Sequence, residues 1–315
     1  MLSNQTVLHA VESVLTLFCI GGAGYVFAAR GWFDEQTKAA LPRMVLEISL
    51  PPYLMYVILE NLTREELFSM VHAGMLPFIA LLLTFALSRV FVRLLKIPAG
   101  HRGIFSVAFT CPNTIYLGIP VNLALFGEAA LPHVLLFYFV HTIFFWTAGN
   151  WLIAGDAGNG KGSLRLRAII SPPMAGFLAG LALLLAGVTL PAFVMRAAGS
   201  LGGITTPVIL LSLGITLQGM RLRSIRLDRE LSFILLGRFV FSPAIMFAVS
   251  FLFPIPDLMR QVFVIQASLP VVTSIAAMTA YHKVGVEFSA VAVALSTLLC
   301  MATLPVFMVL VSLMG

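Results

Sequence analysis

Asn113 is the residue of this sequence best placed for chemistry, because it stands just after Pro112 and before Pro120 in the apolar run FTCPNTIYLGIPVNLALFG. Its amide offers two donors and a two-lone-pair acceptor, a set suited to orienting a carboxylate in a low-dielectric cavity. The competing use is local, the side chain capping unwound backbone. A second run, QASLPVVTSIAAM, puts Gln266 one turn before Pro270 and Thr273 and Ser274 just after it. With Thr114, these hydroxyls are candidate substrate ligands; the alternative is that they bond back to the preceding helical turn. Three ionisable residues, Glu47, His141 and Arg238, also fall inside apolar runs and are candidates for proton or charge coupling. Glu47 is followed by Pro51 and Pro52, and its other use is to satisfy freed backbone donors. Arg238 could attract an anion, but so near the end of its run it is expected to snorkel to water.

Other chemistries find no pattern. All four aspartates (Asp34, Asp156, Asp228, Asp257) fall in polar breaks, so no intramembrane aspartyl pair is expected, and no HExxH occurs. A serine–histidine pair stays open, although nothing in the sequence positions one. The cysteines Cys19, Cys111 and Cys300 lie inside apolar segments, so neither a disulfide framework nor a metal site is indicated. We expect no enzyme activity and no cofactor.

The elements holding these residues are dictated by composition. Of the 315 residues, 60% are hydrophobic and 10% are charged, against about 25% charged in a soluble domain. Long apolar blocks such as Met70 to Phe91 and Val291 to Leu313 match the ~20 residues that span a bilayer as a helix. The chain is therefore an all-α polytopic membrane protein in contact with lipid. The formal charge of +6 reflects loop arginines and lysines, and no nucleic-acid partner is implied. No Lys or Arg precedes Arg30, so the first block is expected to be a retained span, not a cleaved signal.

Charged, proline- and glycine-rich breaks cut the chain into ten spans, near Val7–Ala29, Ala39–Leu59, Met70–Phe91, Gly103–Leu125, Val134–Ala154, Ile169–Ala186, Pro191–Leu217, Phe233–Leu252, Val262–Tyr281 and Val291–Leu313. Odd-numbered loops, with the span ends beside them, hold 15 of the 19 lysines and arginines, while even-numbered loops and their flanks hold Arg64, Arg196 and Arg260. Positive loops stay in the cytoplasm, which places both termini outside a plasma membrane.

The break DAGNGKGSLRLR divides the chain into a first five-helix repeat (1–155), a cytoplasmic linker (156–167) and a second repeat (168–315). Halves with an odd number of spans enter the membrane in opposite senses, giving an inverted repeat. Pro112 and Pro270 stand 158 positions apart and Pro51 and Pro207 stand 156 apart, a faint echo of duplication. Pro112, Gly118 and Pro120 should unwind span four, and Pro270 span nine. Backbone freed at that depth must line a protein-buried or polar cavity, so breaks at matching positions point to the binding site.

Three segments carry a resemblance. PNTIYLGIP looks like the Asn-Thr-x-x-x-Gly-x-Pro signature of the auxin efflux carrier family, EISLPPYLMY resembles that family's second span, and SLPVVTSIAAMTAYHKVG with ALSTLLCMATLP resembles its last two. The resemblance implies a ten-helix fold related to the bile acid:sodium symporters, with helices 4 and 9 crossing at their prolines. It further implies a homodimer whose spans one, two, six and seven form a scaffold around an elevator-like transport domain. The substrate would be a small organic anion, and the short linker resembles the bacterial branch, whose members are commonly described as malate or malonate permeases of the inner membrane. Plant members carry a second Asn beside the second crossover proline, where this chain has Val271. A channel or a membrane sensor on the same fold is the alternative to a carrier. Few carboxylates lie at membrane depth, so transport is expected to be electrogenic or weakly proton-coupled, not tightly sodium-coupled.

Overall fold

The computed structural model describes residues 4–158, 171–219 and 227–312, and every regular element among them is helical. The first part holds α1 (Asn4–Ala29), α2 (Glu35–Met44), α3 (Leu50–Asn61), α4 (Arg64–Ala73) and α5 (Met75–Leu94). It continues through α6 (Arg102–Thr110), α7 (Gly118–Phe126), α8 (Leu131–Phe144) and α9 (Asn150–Asp156). After the linker come α10 (Pro172–Ala186), α11 (Ala192–Gly203), α12 (Thr205–Gly219) and α13 (Arg229–Leu236). The last are α14 (Ser242–Ser250), α15 (Asp257–Ala267), α16 (Ser274–His282) and α17 (Val286–Ser312).

Single π-helical turns, Val45–Ser49, Phe145–Gly149 and Gly237–Phe241, join α2 to α3, α8 to α9 and α13 to α14. Two have a proline behind them. Pro51 cannot donate to the carbonyl of Glu47, nor Pro243 to that of Phe239, so the ladder slips to a wider turn at each. Among the described residues five helical stretches are long and apolar enough to cross a membrane: Met75–Leu94, Glu128–Asp156, Ala192–Gly219, Arg229–Ser250 and Val286–Val311. The third expected span is displaced, because the helix divides at Gly74 and restarts at Met75. Linker residues from 159 on lie outside the described residues.

The chain forms two compact units, and each draws on both halves of the sequence. The first comprises Met1–His72, Ile119–Leu136 and Arg167–Met220. In it α1 packs on α12 so closely that a Cβ at Gly214 would stand 1.8 Å from the Gly21 carbonyl oxygen, and one at Gly24 2.3 Å from that of Leu211. Small residues of this kind let backbones meet in a bilayer, where association depends on packing. Ser49, just before the Leu50–Pro51 pair, shares a buried hydroxyl contact with Thr205 and donates to the Leu201 carbonyl at 2.6 Å.

The second unit comprises Ala73–Gly118, Phe137–Leu166 and Arg221–Gly315. Its core gathers Phe105, Phe109, Phe145, Ile234, Val271 and Ile275. Phe91 meets the rings of Phe109, Phe233 and Phe241 at 5.0–5.8 Å, holding α5, α6 and α13 together. Both broken helices begin in this unit.

Candidate functional site

Proline dictates the first break. α6 ends at Thr110, and helix resumes at Gly118 after a stretch that starts with Cys111 and Pro112. Pro120 does not widen this break as the sequence suggested. It lies in the first turn of α7, where a missing N–H removes no helical bond. The second break separates α15, ending at Ala267, from α16, starting at Ser274, with Pro270 between them.

The two breaks pair with each other. The Asn113 N–H donates to the Pro270 carbonyl at 2.9 Å, and the Val272 N–H donates to the Cys111 carbonyl at 3.0 Å. These bonds make an isolated antiparallel bridge between Pro112 and Val271. Backbone freed by the prolines is thus answered by the opposite break, as a buried main chain requires. The local dyad relates Pro112 to Val271, one position away from the Pro112–Pro270 match read in the sequence. Val271 is fully buried, and its N–H donates to the Ser296 hydroxyl at 3.1 Å.

Side chains at the crossing are less fully answered. Asn113 is 2% exposed, and its Oδ1 accepts from the Tyr116 N–H at 3.3 Å, so the capping use is real for that atom. Its Nδ2 has no hydrogen-bond partner. Gln266 is fully buried with neither Oε1 nor Nε2 bonded. A Cβ at Gly118 would lie 2.5 Å from Gln266 Oε1, so the glycine makes the space this amide occupies. Thr114 is buried and Thr273 and Ser274 are half-buried. None of the three uses its hydroxyl to bond back to a helical turn among the described residues. Each unanswered buried polar group costs about 1–3 kcal/mol, which a polar ligand or water seated there would relieve.

Arg238 departs furthest from expectation. It does not snorkel. Its side chain is fully buried and turns inward from the π turn between α13 and α14. Nε donates to the Leu269 carbonyl at 3.0 Å, and Nη2 donates to the carbonyls of Leu269 at 2.7 Å and Ala267 at 2.9 Å. Nη1 donates to the Thr110 carbonyl at 2.9 Å, the Phe109 carbonyl at 3.4 Å and the Ser242 hydroxyl at 3.3 Å. One guanidinium therefore ties together the C-terminal ends of α6 and α15, where acceptors have no helical donor.

The other ionisable candidates stand apart. Glu47 is not buried; it belongs to the first unit, is half-exposed and pairs with Arg43 at 3.0 Å. That pair, not freed backbone donors, occupies its carboxylate. His141 is buried in the second unit with neither ring nitrogen bonded, and its ring stacks on Phe145 with centroids 6.1 Å apart. The structure thus places Asn113, Thr114, Gln266, Thr273 and Ser274 at or beside the breaks of two helices, with Arg238 bound to the carbonyls at the ends of α6 and α15. Sequence reasoning missed the Arg238 clamp and the Ser296 contact. An arginine with no acidic partner in an apolar run was the available signal for the first, whereas a lone serine signalled nothing.

The geometry leaves an asymmetric crossing. Two helix C-termini converge on Arg238, and two N-termini, at Gly118 and Ser274, open at the breaks. Helix N-termini carry partial positive charge, which favours anions, although the Gly118 N–H here donates to the Asn113 carbonyl at 3.2 Å and the Ile275 and Ala276 N–H groups donate to the carbonyls of Val272 and Thr273.

Residues 9–308 match a family model described as membrane transport protein. An uncharacterized transporter of Methanothermobacter thermautotrophicus is 26% identical over 306 residues, covering 96% of this chain and 98% of its own length. An uncharacterized transporter of Methanocaldococcus jannaschii is 24% identical over 265 residues, covering 82% and 85%.

Proposed function

Since the chain belongs to the auxin efflux carrier family of membrane transport proteins, we propose that it is a secondary carrier of small organic anions such as mono- or dicarboxylates. The observation that carries this reading is the buried, unanswered amide of Gln266, with Asn113 Nδ2, at a crossing where two half-helix N-termini open. A carboxylate can accept from Asn113 Nδ2, Gln266 Nε2 and the hydroxyls of Thr114, Thr273 and Ser274, leaving Gln266 Oε1 to accept from a donor such as a substrate hydroxyl. The reading includes ten spans arranged as two inverted repeats, both termini outside the inner membrane, and a homodimer. Transport is electrogenic or weakly proton-coupled.

An elevator mechanism follows from the same reading. Asn113, Thr114, Gln266, Thr273, Ser274 and Arg238 all belong to one compact unit, so these side chains can travel as a body, whereas α7 beyond Gly118 belongs to the other. The first unit, which includes α1 to α3 and α10 to α12, supplies the scaffold.

Counterflow in proteoliposomes tests the function, because only a carrier exchanges labelled substrate through a saturable site, whereas a channel does not. Labelled lactate and malate serve as probes. Asn113→Ala should leave folding intact, since proline makes the break, and should weaken affinity by about 1–3 kcal/mol through one lost buried hydrogen bond. Asn113→Asp should be worse, by like-charge repulsion. Wild-type affinity in both variants would reduce Asn113 to a structural cap.

A further inference from the structure

Charge is the property of the crossing that the carrier reading leaves unexplained. Arg238 is the one buried Asp, Glu, Lys or Arg side chain among the described residues. The ion pairs there join Lys38 to Glu35, Arg43 to Glu47, His101 to Glu230 and Arg260 to Asp257, and none includes Arg238. Its partners are main-chain carbonyls at the ends of α6 and α15 and the Ser242 hydroxyl. Each helix C-terminus carries roughly half a negative charge, so two of them stabilise the guanidinium where it sits. A dipole has no net charge, however. The positive ends of the same two helices cancel the negative ends, and one whole elementary charge is left at the crossing.

We infer that Arg238 is the voltage-sensing charge of the transport cycle, making the empty crossover unit a cation and its complex with a monovalent anion neutral. This rests on the reading of the chain as an elevator-type anion carrier. The Arg260–Asp257 pair adds no net charge to the unit, because its two members cancel at 2.8 Å. Arg238 is embedded in the body that moves. A bound monoanion cancels it, so the loaded unit crosses without regard to the membrane potential. The return of the empty unit then carries the positive charge, and the potential acts on that step. A dianion leaves the loaded unit with one negative charge, so its crossing is voltage-dependent in the opposite sense. A full elementary charge crossing the field biases an equilibrium tenfold per roughly 60 mV.

The test is charge displacement in full-length protein reconstituted into liposomes on a solid-supported membrane, stepped in voltage with no organic anion present. Wild type should give a saturating transient of cationic sign with an apparent valence of about one, and lactate should suppress it. Arg238→Gln should abolish the transient, and Arg238→Lys should keep it. An anionic transient, no transient, or an unchanged transient in Arg238→Gln overturns the inference. If Arg238→Gln does not fold, the sign in wild type and its persistence in Arg238→Lys decide the matter. Lactate or malate counterflow without any empty-carrier transient would sink this inference and leave the carrier standing. A cationic transient that neither anion alters would keep Arg238 as the sensor and remove the anion reading instead.

Discussion

A side chain added at Gly118 would meet the Gln266 amide before anything else, with Oε1, Nε2 and Cδ at 2.5, 2.8 and 3.0 Å from the new Cβ. All three atoms sit at the end of a flexible side chain, so the cost falls on the position of Gln266 and not on the fold. Gly118→Ala should therefore largely preserve the melting temperature while lowering counterflow on the order of tenfold, within the about 1–3 kcal/mol that one lost buried hydrogen bond from Gln266 to the substrate would cost. In a Gln266→Ala background the same change should cost little, and a double-mutant cycle measures the coupling. Additive losses would mean that the two residues act separately. Asn113, Pro112 and Pro270 were legible in the sequence because proline announces a break wherever it falls inside an apolar run. Arg238 was misjudged because its partners lie at two breaks far away in the chain, and only their pairing brings four carbonyls within reach of one guanidinium.

Helices show a similar division between what composition reveals and what contact decides. The apolar runs coincide with the five helical stretches that are long and apolar enough to cross a membrane among the described residues, since burying backbone in lipid leaves helix as the available solution. The π turns and the division at Gly74 were not legible, because they depend on local ladder slips that no hydropathy window registers. Glycine spacing is a further case: Gly21, Gly22 and Gly24 look alike in α1, yet their surroundings differ. A Cβ at Gly22 meets nothing within 4 Å, whereas the neighbouring positions face α12. Gly214→Leu should consequently destabilise the protein by about 1–3 kcal/mol or more, as overpacking of a close contact does. Gly22→Leu should be nearly silent. Thermal unfolding in detergent compares them, and equal melting points would contradict the close approach of α1 and α12.

At the scale of the whole molecule the clearest expectation concerns orientation. Lysine and arginine crowd the odd-numbered loops, and that bias sets the sidedness of short loops. Ser3→Cys, in a background with Cys19, Cys111 and Cys300 replaced, should be labelled from outside the intact cell by an impermeant maleimide. Labelling that needs a permeabilised inner membrane would reverse the assignment. The bridge between Pro112 and Val271 has a further consequence, for biogenesis. A ribosome delivers the first break long before the second. During that interval the Asn113 N–H and the Cys111 carbonyl have no Pro270 or Val272 to meet. The nascent chain must keep its half-made crossing wetted or chaperoned until the α15–α16 break arrives, so this protein stays exposed to quality control until late in its own synthesis.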